Sequence, residues 1–417
     1  MLIKTLLNKV ERFKSFVYVS VCVMLIGDTE ALVIDIEPRR NSWPICPECR
    51  KQCTVYDRQP PRLFEYLPVW SFKAYFRYAP RRVKCPEHGV KVEALPWAYG
   101  KERMTFSYQV FLARWAKRLS WQETARVFET SWDTVFRAVQ FVVDYGLSHR
   151  TLEGVTEIGV DEIAVFKGHK YLTLVYQVNA GARRLLWSGF ERNSKTLLQF
   201  FKEFGPERSA NLRFVCSDMW AAYLNIIAKK APQALNILDR FHVMRKFNEA
   251  IDEIRRGEVK QLKANGHENV LEHKRWLLLK RPENLTEKQT IRMAELLKLN
   301  LSSLKGYLLR EDFQRFWEYQ RIDFADKFLD DWVTRTLRTD LEPMKKVANM
   351  LRNHKPLILN WFRAKGQLSS GSVEGMNLKA KLTMRKAYGF RTLKGLQIAL
   401  YHELGKLPEP EYLHRFC

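Results

Sequence analysis

Residues 151–250 constrain the fold of this chain more than any other segment, because three strand-like stretches there precede alternating helices and strands. The first part, VTEIGVDEIAVFKGHKYLTLVYQVNAGARRLLWSGF, predicts a meander of three strands with turns near Gly168 and Gly181. A helix pattern follows, and then the apolar strand LRFVCS, which ends at Asp218. A further helix leads to a last strand, ALNIL, which ends at Asp239. The segment therefore predicts three consecutive strands continued by βαβ units.

This order of strands predicts an RNase H-like α/β core, in which acids at the carboxyl ends of strands gather at one edge of the sheet. Asp161 interrupts the first strand in an otherwise apolar setting. Because successive strand residues face opposite ways, Asp161 and Glu162 cannot both enter one site. We therefore expect Asp161 and Asp218 to meet at that edge. Asp239 remains a rival to Asp218, and N-capping of the following helix is the ordinary role of both.

The net charge of the chain indicates a polyanionic partner. The 417 residues include 70 Lys and Arg against 46 Asp and Glu, a formal charge of +24. Double-stranded DNA is the simplest partner with dense negative charge. An anionic membrane surface is the rival, but the basic residues are spread along the chain and are not gathered in one amphipathic tail.

The longest apolar run, Phe16–Ile26, is about half the length needed to cross a bilayer. We interpret it as a strand, roughly 16–25, paired through a turn at Gly27 and Asp28 with a strand at 31–37. No small-residue cleavage site follows it. We therefore expect a cytoplasmic protein without a membrane partner.

A basic helix near the end of the chain contributes a third acid. The stretch GSVEGMNLKAKLTMRKAYGFRTLK contains the single acid Glu374, in the first turn after the capping residue Ser372. Favourable placement in the helix dipole would by itself explain an acid there. A helical period, however, also aligns this acid with an amide and cations on one face. That face consists of Glu374, Asn377, Lys381, Arg385 and Tyr388.

Three carboxylates match the chemistry of phosphodiester cleavage. Hydrolysis or transfer of a phosphodiester uses two divalent ions that hold the attacking and leaving oxygens. Magnesium, like Mn²⁺, is held by hard oxygen ligands. We therefore predict Asp161, Asp218 and Glu374 as metal ligands and catalytic acids. On the basic helix, we expect Asn377, Lys381 and Arg385 to contact DNA.

Two short motifs predict a structural zinc site. CPEC contains Cys46 and Cys49, and CPEH contains Cys85 and His88. Two such knuckles separated by a strand-rich stretch fit tetrahedral zinc in a ribbon-like β module. Cys53 is a spare ligand, and the alternative is a set of unrelated buried thiols. The odd number of cysteines, seven, indicates metal binding or burial and not disulfides.

A helix-turn-helix is predicted next. The helix SWQETARVF starts with the capping pair Ser120 and Glu123, and the following helix starts with a second capping pair, Thr130 and Asp133. Two capped helices across a short turn are typical of DNA-binding modules, although an ordinary helical hairpin has the same pattern. The residues expected to contact DNA from the second helix are Trp132, Thr134 and Arg137.

The chain then divides by pattern into five regions. We predict a β-rich zinc-binding domain in 1–100 and the helix-turn-helix in 101–150. The RNase H-like core is expected in two parts, 151–250 and 356–417, the second with the helix of Glu374. A helical, strongly charged insertion is expected between them, in 251–355.

Several motifs together resemble the ISL-three family of bacterial insertion-sequence transposases. These are GVDE, CSDMWAAY, LDRFHVMRKFNEAID, SGSVEGMNLKAK and RKAYGFRTL, in this order, with WQETARVF and the cysteine motifs before them. The resemblance covers nearly the whole chain. It implies a DDE transposase whose core is interrupted by a helical insertion, with Asp161, Asp218 and Glu374 as its acids. Asp239 and His242, in DRFH, match a family motif and are accessory candidates.

The resemblance also implies a mechanism and partners. Metal-activated water would cleave the element ends, and the freed 3′-hydroxyl would attack target DNA. The zinc and helix-turn-helix modules would bind the terminal inverted repeats. A homodimer or larger assembly on DNA, associated with the bacterial nucleoid, is expected on the same basis.

Other functions fit part of the sequence. A zinc and helix-turn-helix regulator would bind DNA without cleaving it. An RNase H-like nuclease or resolvase would share the acids but would join no strands. A degenerate, inactive copy of a transposase is a further alternative, although all three acids are intact.

Overall fold

The computed structural model describes residues 3–166, 170–266, 270–299, 301–364 and 371–411. The chain forms two compact units, one of residues 1–151 with 382–417 and the other of residues 152–381. The predicted turn at Gly168 lies outside the described residues. In the described part, no helix is both long and apolar enough to cross a membrane.

The strands of the described residues follow in chain order: β1 Phe16–Ile26, β2 Thr29–Pro38, β3 Thr54–Arg58, β4 Arg62–Val69, β5 Phe72–Tyr78, β6 Arg81–Cys85, β7 Gly89–Val92, β8 Glu157–Phe166, β9 Lys170–Gln177, β10 Arg184–Phe190, β11 Phe214–Ser217 and β12 Leu235–Leu238.

The α-helices follow in the same way: α1 Ile3–Val10, α2 Phe106–Arg118, α3 Trp121–Val127, α4 Trp132–His149, α5 Ser194–Phe204, α6 Pro206–Ala210, α7 Ala221–Lys230, α8 Arg240–Ala264, α9 Arg275–Leu279, α10 Glu287–Leu297, α11 Ser302–Gln314, α12 Ile322–Leu337, α13 Glu342–Asn353, α14 Lys355–Ile358, α15 Asn360–Arg363, α16 Gly371–Lys386 and α17 Leu393–Leu404. Two 3₁₀ turns lie at Pro282–Asn284 and Arg315–Glu318.

The first unit begins with a four-stranded sheet in the order β1-β2-β5-β4. Its β1–β2 hairpin confirms the two strands predicted on either side of Gly27. The sheet buries one aromatic face around Trp97, whose ring packs against Phe13, Phe16 and Tyr78. The helix α1 was not expected in a region predicted as strand-like, because eight residues are too few to show a clear helical period.

The second sheet of this unit, in the order β3-β6-β7, carries the cysteine motifs. A buried ion pair connects its strand β6 to the segment after β7, because the guanidinium of Arg81 donates to Oε1 of Glu93 from Nε and to Oε2 from Nε and Nη2. The hydroxyl of Tyr78, on β5, donates to the same carboxylate. The guanidinium and the carboxylate are thus hydrogen-bonded to each other and to neighbouring groups. Such bonds are needed to offset the cost of removing two charges from water.

Helices α2, α3 and α4 pack around Ala125, Val135 and Val139. The predicted capping box at Ser120 and Glu123 is confirmed, because each side chain bonds the backbone N–H of the other. The predicted cap at Thr130 is wrong. The backbone N–H of Thr130 closes the preceding turn onto the Ala125 carbonyl. Ser131 is the cap instead, accepting from the Thr134 N–H.

The second unit contains a five-stranded mixed sheet in the order β10-β9-β8-β11-β12. The strands β8, β9 and β10 are antiparallel neighbours, as the predicted meander requires. The strands β8, β11 and β12 are parallel neighbours, joined through α5, α6 and α7. The helices α5 and α7 cover one face of the sheet with apolar side chains such as Leu197, Phe200 and Ile227.

The helices that follow β12 form a largely α-helical part of the second unit. The long helix α8 packs with α11, α12 and α13 around Phe247, Phe313 and Trp332. Arg310 is 2% exposed within this part, and its guanidinium donates to three successive backbone carbonyls, those of Leu278, Leu279 and Lys280. This arginine therefore fixes the path of the chain after α9.

The helix α16 approaches the sheet closely at Gly159, in β8. A Cβ atom at Gly159 would overlap Cγ2 of Val373, in the first turn of α16. Glycine is thus required by the close approach and not by its backbone angle. Val373, Met376 and Ala380 lie on the buried side of the helix.

The two units divide the end of the chain differently from the predicted domains. Residues 356–417 were expected to belong to the core, but residues 382–417 belong to the first unit. The physical reason is the apolar side of α17. Its Ile398 and Ala399 lie in one cluster with Val139 and Val143 of α4.

The close approach at Gly159 predicts the effect of a single methyl group. We expect Gly159→Ala to lower the stability of the protein by about 1–3 kcal/mol, because the added methyl group overpacks the contact with Val373. Urea or thermal unfolding of the full chain measures the change. The double variant Gly159→Ala/Val373→Ala should recover most of the loss, because it restores the space.

Gly257→Ala is the matched control. Gly257 lies within α8, and a Cβ there meets nothing within 4 Å. This change should leave stability equal or raise it by about 0.5–1 kcal/mol, the helix preference of Ala over Gly. Equal stability of the two single variants would contradict the packing described for α16.

Candidate active site

Three aspartates lie at the same level of three neighbouring parallel strands. Gly159 of β8 pairs with Cys216 of β11, and Cys216 pairs with Ile237 of β12. Two residues beyond these positions are Asp161, Asp218 and Asp239. Neighbouring strands are about 4.8 Å apart, so register alone brings the three acids together at the carboxyl ends of β11 and β12. We call Asp161, Asp218 and Asp239 the aspartate row.

Asp161 is held from two directions. Its Oδ1 accepts from the backbone N–H of Glu162 at 2.8 Å. Its Oδ2 accepts from Nδ2 of Asn377, in the second turn of α16. The amide oxygen of Asn377 accepts in turn from the buried hydroxyl of Tyr176, in β9, at 2.9 Å. Asn377 therefore connects the helix to two strands of the sheet through both ends of its amide.

Each of the other two aspartates accepts a backbone N–H of the segment that follows it. Oδ1 of Asp218 accepts from the N–H of Trp220 at 2.9 Å, and Oδ1 of Asp239 accepts from the N–H of Phe241 at 2.8 Å. The capping role considered from the sequence is confirmed for Asp239, the N-cap of α8, but is wrong for Asp218, because the N-cap residue of α7 is Trp220. In each carboxylate these bonds leave the second oxygen for another partner.

The electrostatics of the aspartate row show an excess of negative charge. Burial raises the pKa of Asp161, and the charges of Asp239 and Asp218 raise it further. His242, one turn into α8, has its Nδ1 at 3.4 Å from Oδ2 of Asp239. Burial lowers the pKa of His242, but the bond to Asp239 and the charges of Asp161 and Asp218 outweigh it and raise the pKa overall. The acids thus attract positive charge.

Arg192 and Glu162 are two charged residues that the sequence did not assign to the site. The guanidinium of Arg192 donates from Nη2 to Oδ2 of Asp218 at 2.7 Å, and its Nε lies 3.2 Å from Oε1 of Glu162. Burial and the charge of Asp218 raise the pKa of Glu162 to about 7. The ring of Trp220 packs under the guanidinium at 4.9 Å. No local sequence pattern indicates this bridge, because its members come from separate elements.

Glu374 lies in the first turn of α16, as predicted, on the exposed side of the helix. It precedes Asn377 by three residues, and side chains at this spacing are neighbours on a helix. Since Asn377 bonds Asp161, Glu374 is about one helical turn from the aspartate row. Its carboxylate forms no ion pair within the described residues.

The three predicted catalytic acids do not form a closed cluster. Among the described residues, only one group brings three or more Cys, His or acidic ligand atoms all within 4.8 Å of one another. That group is Cys46, Cys49, Cys85 and His88. Asp161, Asp218 and Glu374 are therefore not drawn together as the ligands of a single ion would be.

The cysteine and histidine cluster has the dimensions of a tetrahedral site. The Sγ atoms of Cys49 and Cys85 are 3.7 Å apart, and Nδ1 of His88 lies 3.6 Å from Sγ of Cys85 and 3.8 Å from that of Cys46. Metal–sulfur bonds of about 2.3 Å give a tetrahedron with edges of about 3.8 Å. Cys53 is buried beside the cluster, but its thiol bonds the Lys51 carbonyl and does not belong to the four.

The residues predicted to contact DNA lie in different environments. Trp132 is 42% exposed at the start of α4, where its ring stacks on Phe136. Thr134 is half-buried, and its N–H bonds the cap Ser131. The guanidinium of Arg137 is paired with Asp133 at 3.1 Å and with Glu102 at 3.4 Å.

On α16, Lys381 and Arg385 are exposed, and neither forms an ion pair within the described residues. Asn377 is different, because it is buried and both ends of its amide are bonded. In this arrangement its side chain is not accessible to DNA. We therefore assign it a positioning role toward Asp161 instead of the predicted DNA contact.

Comparison with known proteins agrees with the resemblance noted in the sequence. The model of a transposase family, the ISL3 type of DDE transposase, matches residues 158–400, which are more than half of the chain. The chain is 29% identical over 350 residues to the transposase for insertion sequence element IS1001 of Bordetella parapertussis. That match covers 83% of this chain and 85% of the relative.

A second relative is the transposase for insertion sequence element IS1557 of Mycobacterium tuberculosis, represented in two strains. It is 27% identical over 394 residues, which are 89% of this chain and 88% of the relative. The matched region contains the aspartate row and the helix of Glu374. The chain therefore belongs to the ISL3 family of DDE transposases, metal-dependent enzymes that cleave DNA and transfer its strands.

Proposed function

We propose that this transposase cleaves the ends of its own insertion sequence with Asp161, Asp218 and Glu374 as the ligands of two magnesium ions. The observation that carries the proposal is the register of β8, β11 and β12, which sets Asp161 beside Asp218. The bond from Asn377 to Asp161 supports the approach of Glu374 to the same place. The strand order β10-β9-β8-β11-β12 supports an RNase H-like core, with the helices after β12 as its insertion.

The residues present fit divalent ions. All the proposed ligands are carboxylates, the hard oxygen donors that magnesium and manganese prefer. Burial raises the pKa of Asp161 most, and the charges of Asp239 and Asp218 add to the rise; a bound cation would offset that part of it. When bound, the two ions neutralise the charge that develops on the attacking and leaving oxygens of the phosphodiester.

The side chains of this chain have distinct proposed roles. Asp161 and Asp218 hold the ions from the sheet, and Glu374 holds them from the helix. Asn377 orients the Asp161 carboxylate, which keeps the ligand in one rotamer. Arg192 orients Asp218, and its positive charge keeps Glu162 and Asp218 from repelling each other.

Asp239 and His242 are proposed as accessory residues. Asp239 is the third member of the aspartate row, so register supports it almost as well as it supports Asp218. Two observations favour Asp218 as the ligand. Asp218 is next to Asp161 in strand order, and it is the less buried of the two acids. A basic side chain lies beside each of them, Arg192 beside Asp218 and His242 beside Asp239, so this contact does not distinguish them.

The first unit is proposed to bind the terminal inverted repeats. The tetrahedral Cys46, Cys49, Cys85 and His88 cluster fits zinc, which would fix the loops before β3 and after β6. Helix-turn-helix modules place the second helix in the major groove, and here that helix is α4. The exposed ring of Trp132 at its start supports this orientation. Assembly of two or more chains on DNA belongs to the same proposal.

The catalytic assignment predicts the behaviour of isosteric variants. Asp161→Asn, Asp218→Asn and Glu374→Gln should each reduce Mg²⁺-dependent nicking of the element end by more than about a hundredfold, since losing even an outer-shell partner of a metal ligand costs about 10- to 100-fold. Nicking of a labelled duplex that contains the repeat and its flanking DNA measures the effect. Mn²⁺ should replace Mg²⁺ in the wild type.

A control variant shows whether loss of nicking comes from the position of the acid or merely from the loss of one negative charge. Asp323→Asn removes an exposed acid far along the chain, in α12, and should leave nicking unchanged. Retained nicking by Asp218→Asn together with loss by Asp239→Asn would show that the second ligand is misassigned. Nicking without joining of the freed 3′ end to a target would favour the nuclease alternative.

The zinc assignment predicts the metal content of the purified protein. We expect one zinc per chain by elemental analysis, lost in Cys85→Ser because three ligands hold zinc poorly. His88→Cys should keep the metal, since thiolate and imidazole are both good zinc ligands. Cys22→Ser is the matched control, because Cys22 lies outside the cluster in β1. Full zinc content in Cys85→Ser would refute this site.

A further inference from the structure

A cleft of about 290 Å³ opens at the start of α8 in the second unit. Arg240 and Arg281 line it, together with Gln314 from the end of α11 and the side chain of Phe241, which is 48% exposed. The cleft begins at the residue that follows Asp239. The chain thus connects the cleft directly to the aspartate row, although none of the acids lines it.

The two arginines share a single neutral acceptor. Nη2 of Arg281 donates to Oε1 of Gln314 at 2.7 Å, and Nη2 of Arg240 donates to the same oxygen at 3.3 Å. Within the described residues, neither guanidinium forms an ion pair with a carboxylate. Other arginines of this helical part are paired in that way, among them Arg275, Arg310 and Arg335.

Two guanidinium groups that converge on an amide oxygen have no carboxylate at ion-pair distance within the described residues. Burial lowers the pKa of Arg240, the charge of Arg281 lowers it further, and the charge of Glu318 partly opposes them. Arginine side chains keep their positive charge in proteins. An anion in the cleft would remove their mutual repulsion, and two planar forks suit the oxygens of a phosphate.

The positions of both arginines are fixed before any ligand binds. The guanidinium of Arg240 lies 5.3 Å from the ring of Trp317, a cation–π distance. The segment that ends in Arg281 is held by Arg310, whose guanidinium bonds the carbonyls of Leu279 and Lys280. Such preorganisation lowers the entropy that binding would otherwise cost.

We propose that Arg240, Arg281 and Gln314 form a binding site for one backbone phosphate of the DNA strand that enters the active site. The site would hold a phosphate next to the one being cleaved, because Arg240 directly follows Asp239. Gln314 would orient the two guanidinium groups, and the exposed ring of Phe241 would contact the sugar or base of the same nucleotide. The inference rests on the proposed catalytic role of the aspartate row.

The test measures the binding of the full-length protein to two duplexes in the absence of divalent cations, one with the terminal repeat and one with a scrambled sequence. Arg240→Gln and Arg281→Gln should each weaken binding to both duplexes by about tenfold or more, the worth of a charge-assisted hydrogen bond. Each should also reduce the slope of log affinity against log salt concentration by about 1. Arg256→Gln removes the same charge from α8 at a residue that is paired with Asp252, and it should change neither quantity.

Gln314→Glu distinguishes phosphate binding from a structural role of the arginines. The new carboxylate would pair with both guanidinium groups, so unfolding should occur at an equal or higher temperature while DNA affinity falls about tenfold. If Arg240→Gln or Arg281→Gln destabilises the fold, this variant still reports on the site. Unchanged DNA affinity in Gln314→Glu, or an Arg281→Gln affinity equal to that of Arg256→Gln, would overturn the inference.

The same experiment separates this inference from the proposed function. Equal binding of the wild type to both duplexes would refute recognition of the repeats but not the phosphate site, which needs no sequence. If the Asp161→Asn variant binds DNA normally but does not nick it, this result supports the catalytic assignment and says nothing about the phosphate site. Loss of binding in the cleft variants supports the phosphate site whatever the catalytic variants do.

Discussion

The register of three parallel strands is the constraint on which the rest of the proposed active site depends. Hydrogen bonds between β8, β11 and β12 fix Asp161, Asp218 and Asp239 at one level of the sheet. A slip of one residue in any strand would turn its aspartate to the opposite face. The apolar cluster behind the sheet, with Val160, Val215 and Phe200, forbids such a slip, since the same slip would expose those side chains. Packing of the core therefore specifies the position of the acids.

The helix α16 depends on the sheet in the same way. Its acid, Glu374, has no partner of its own within the described residues, and its place is set by neighbours on the helix. Val373 packs against Gly159, and Asn377 bonds Asp161 two residues further along β8. An apolar contact and a polar contact on one strand thus fix both the distance and the rotation of the helix. More than 200 residues separate the helix from that strand in the chain, so tertiary packing alone brings them together.

Periodicity in the sequence predicted the elements that carry the acids, and spacing predicted the cysteine and histidine cluster, because both are local properties. The strands around Asp161 and before Asp218, the capping box at Ser120 and the helix that carries Glu374 were found in this way. The bridge of Arg192 between Glu162 and Asp218 was not found, since its three residues come from separate elements. The burial of Asn377 was missed for a related reason. A helical period places Asn377 beside Lys381 and Arg385 but does not show where the buried side of the helix ends.

Two different effects of positive charge should be distinguished in this basic chain: general attraction of DNA and binding of a phosphate at a specific place. Net charge attracts DNA but does not select a place on the protein, because many arginines in the helical part of the second unit lie beside an acid, as Arg255 does beside Asp252. A specific phosphate site requires cations that lack such a partner, and Arg240 and Arg281 meet this condition. The aspartate row is the complementary case, with carboxylates that exceed the cations around them. The consecutive residues Asp239 and Arg240 join the two environments, one suited to metal ions and the other to phosphate. DNA is itself negatively charged, so a DNA strand bound at the cleft would approach the acids only where bound metal ions have already compensated their negative charge.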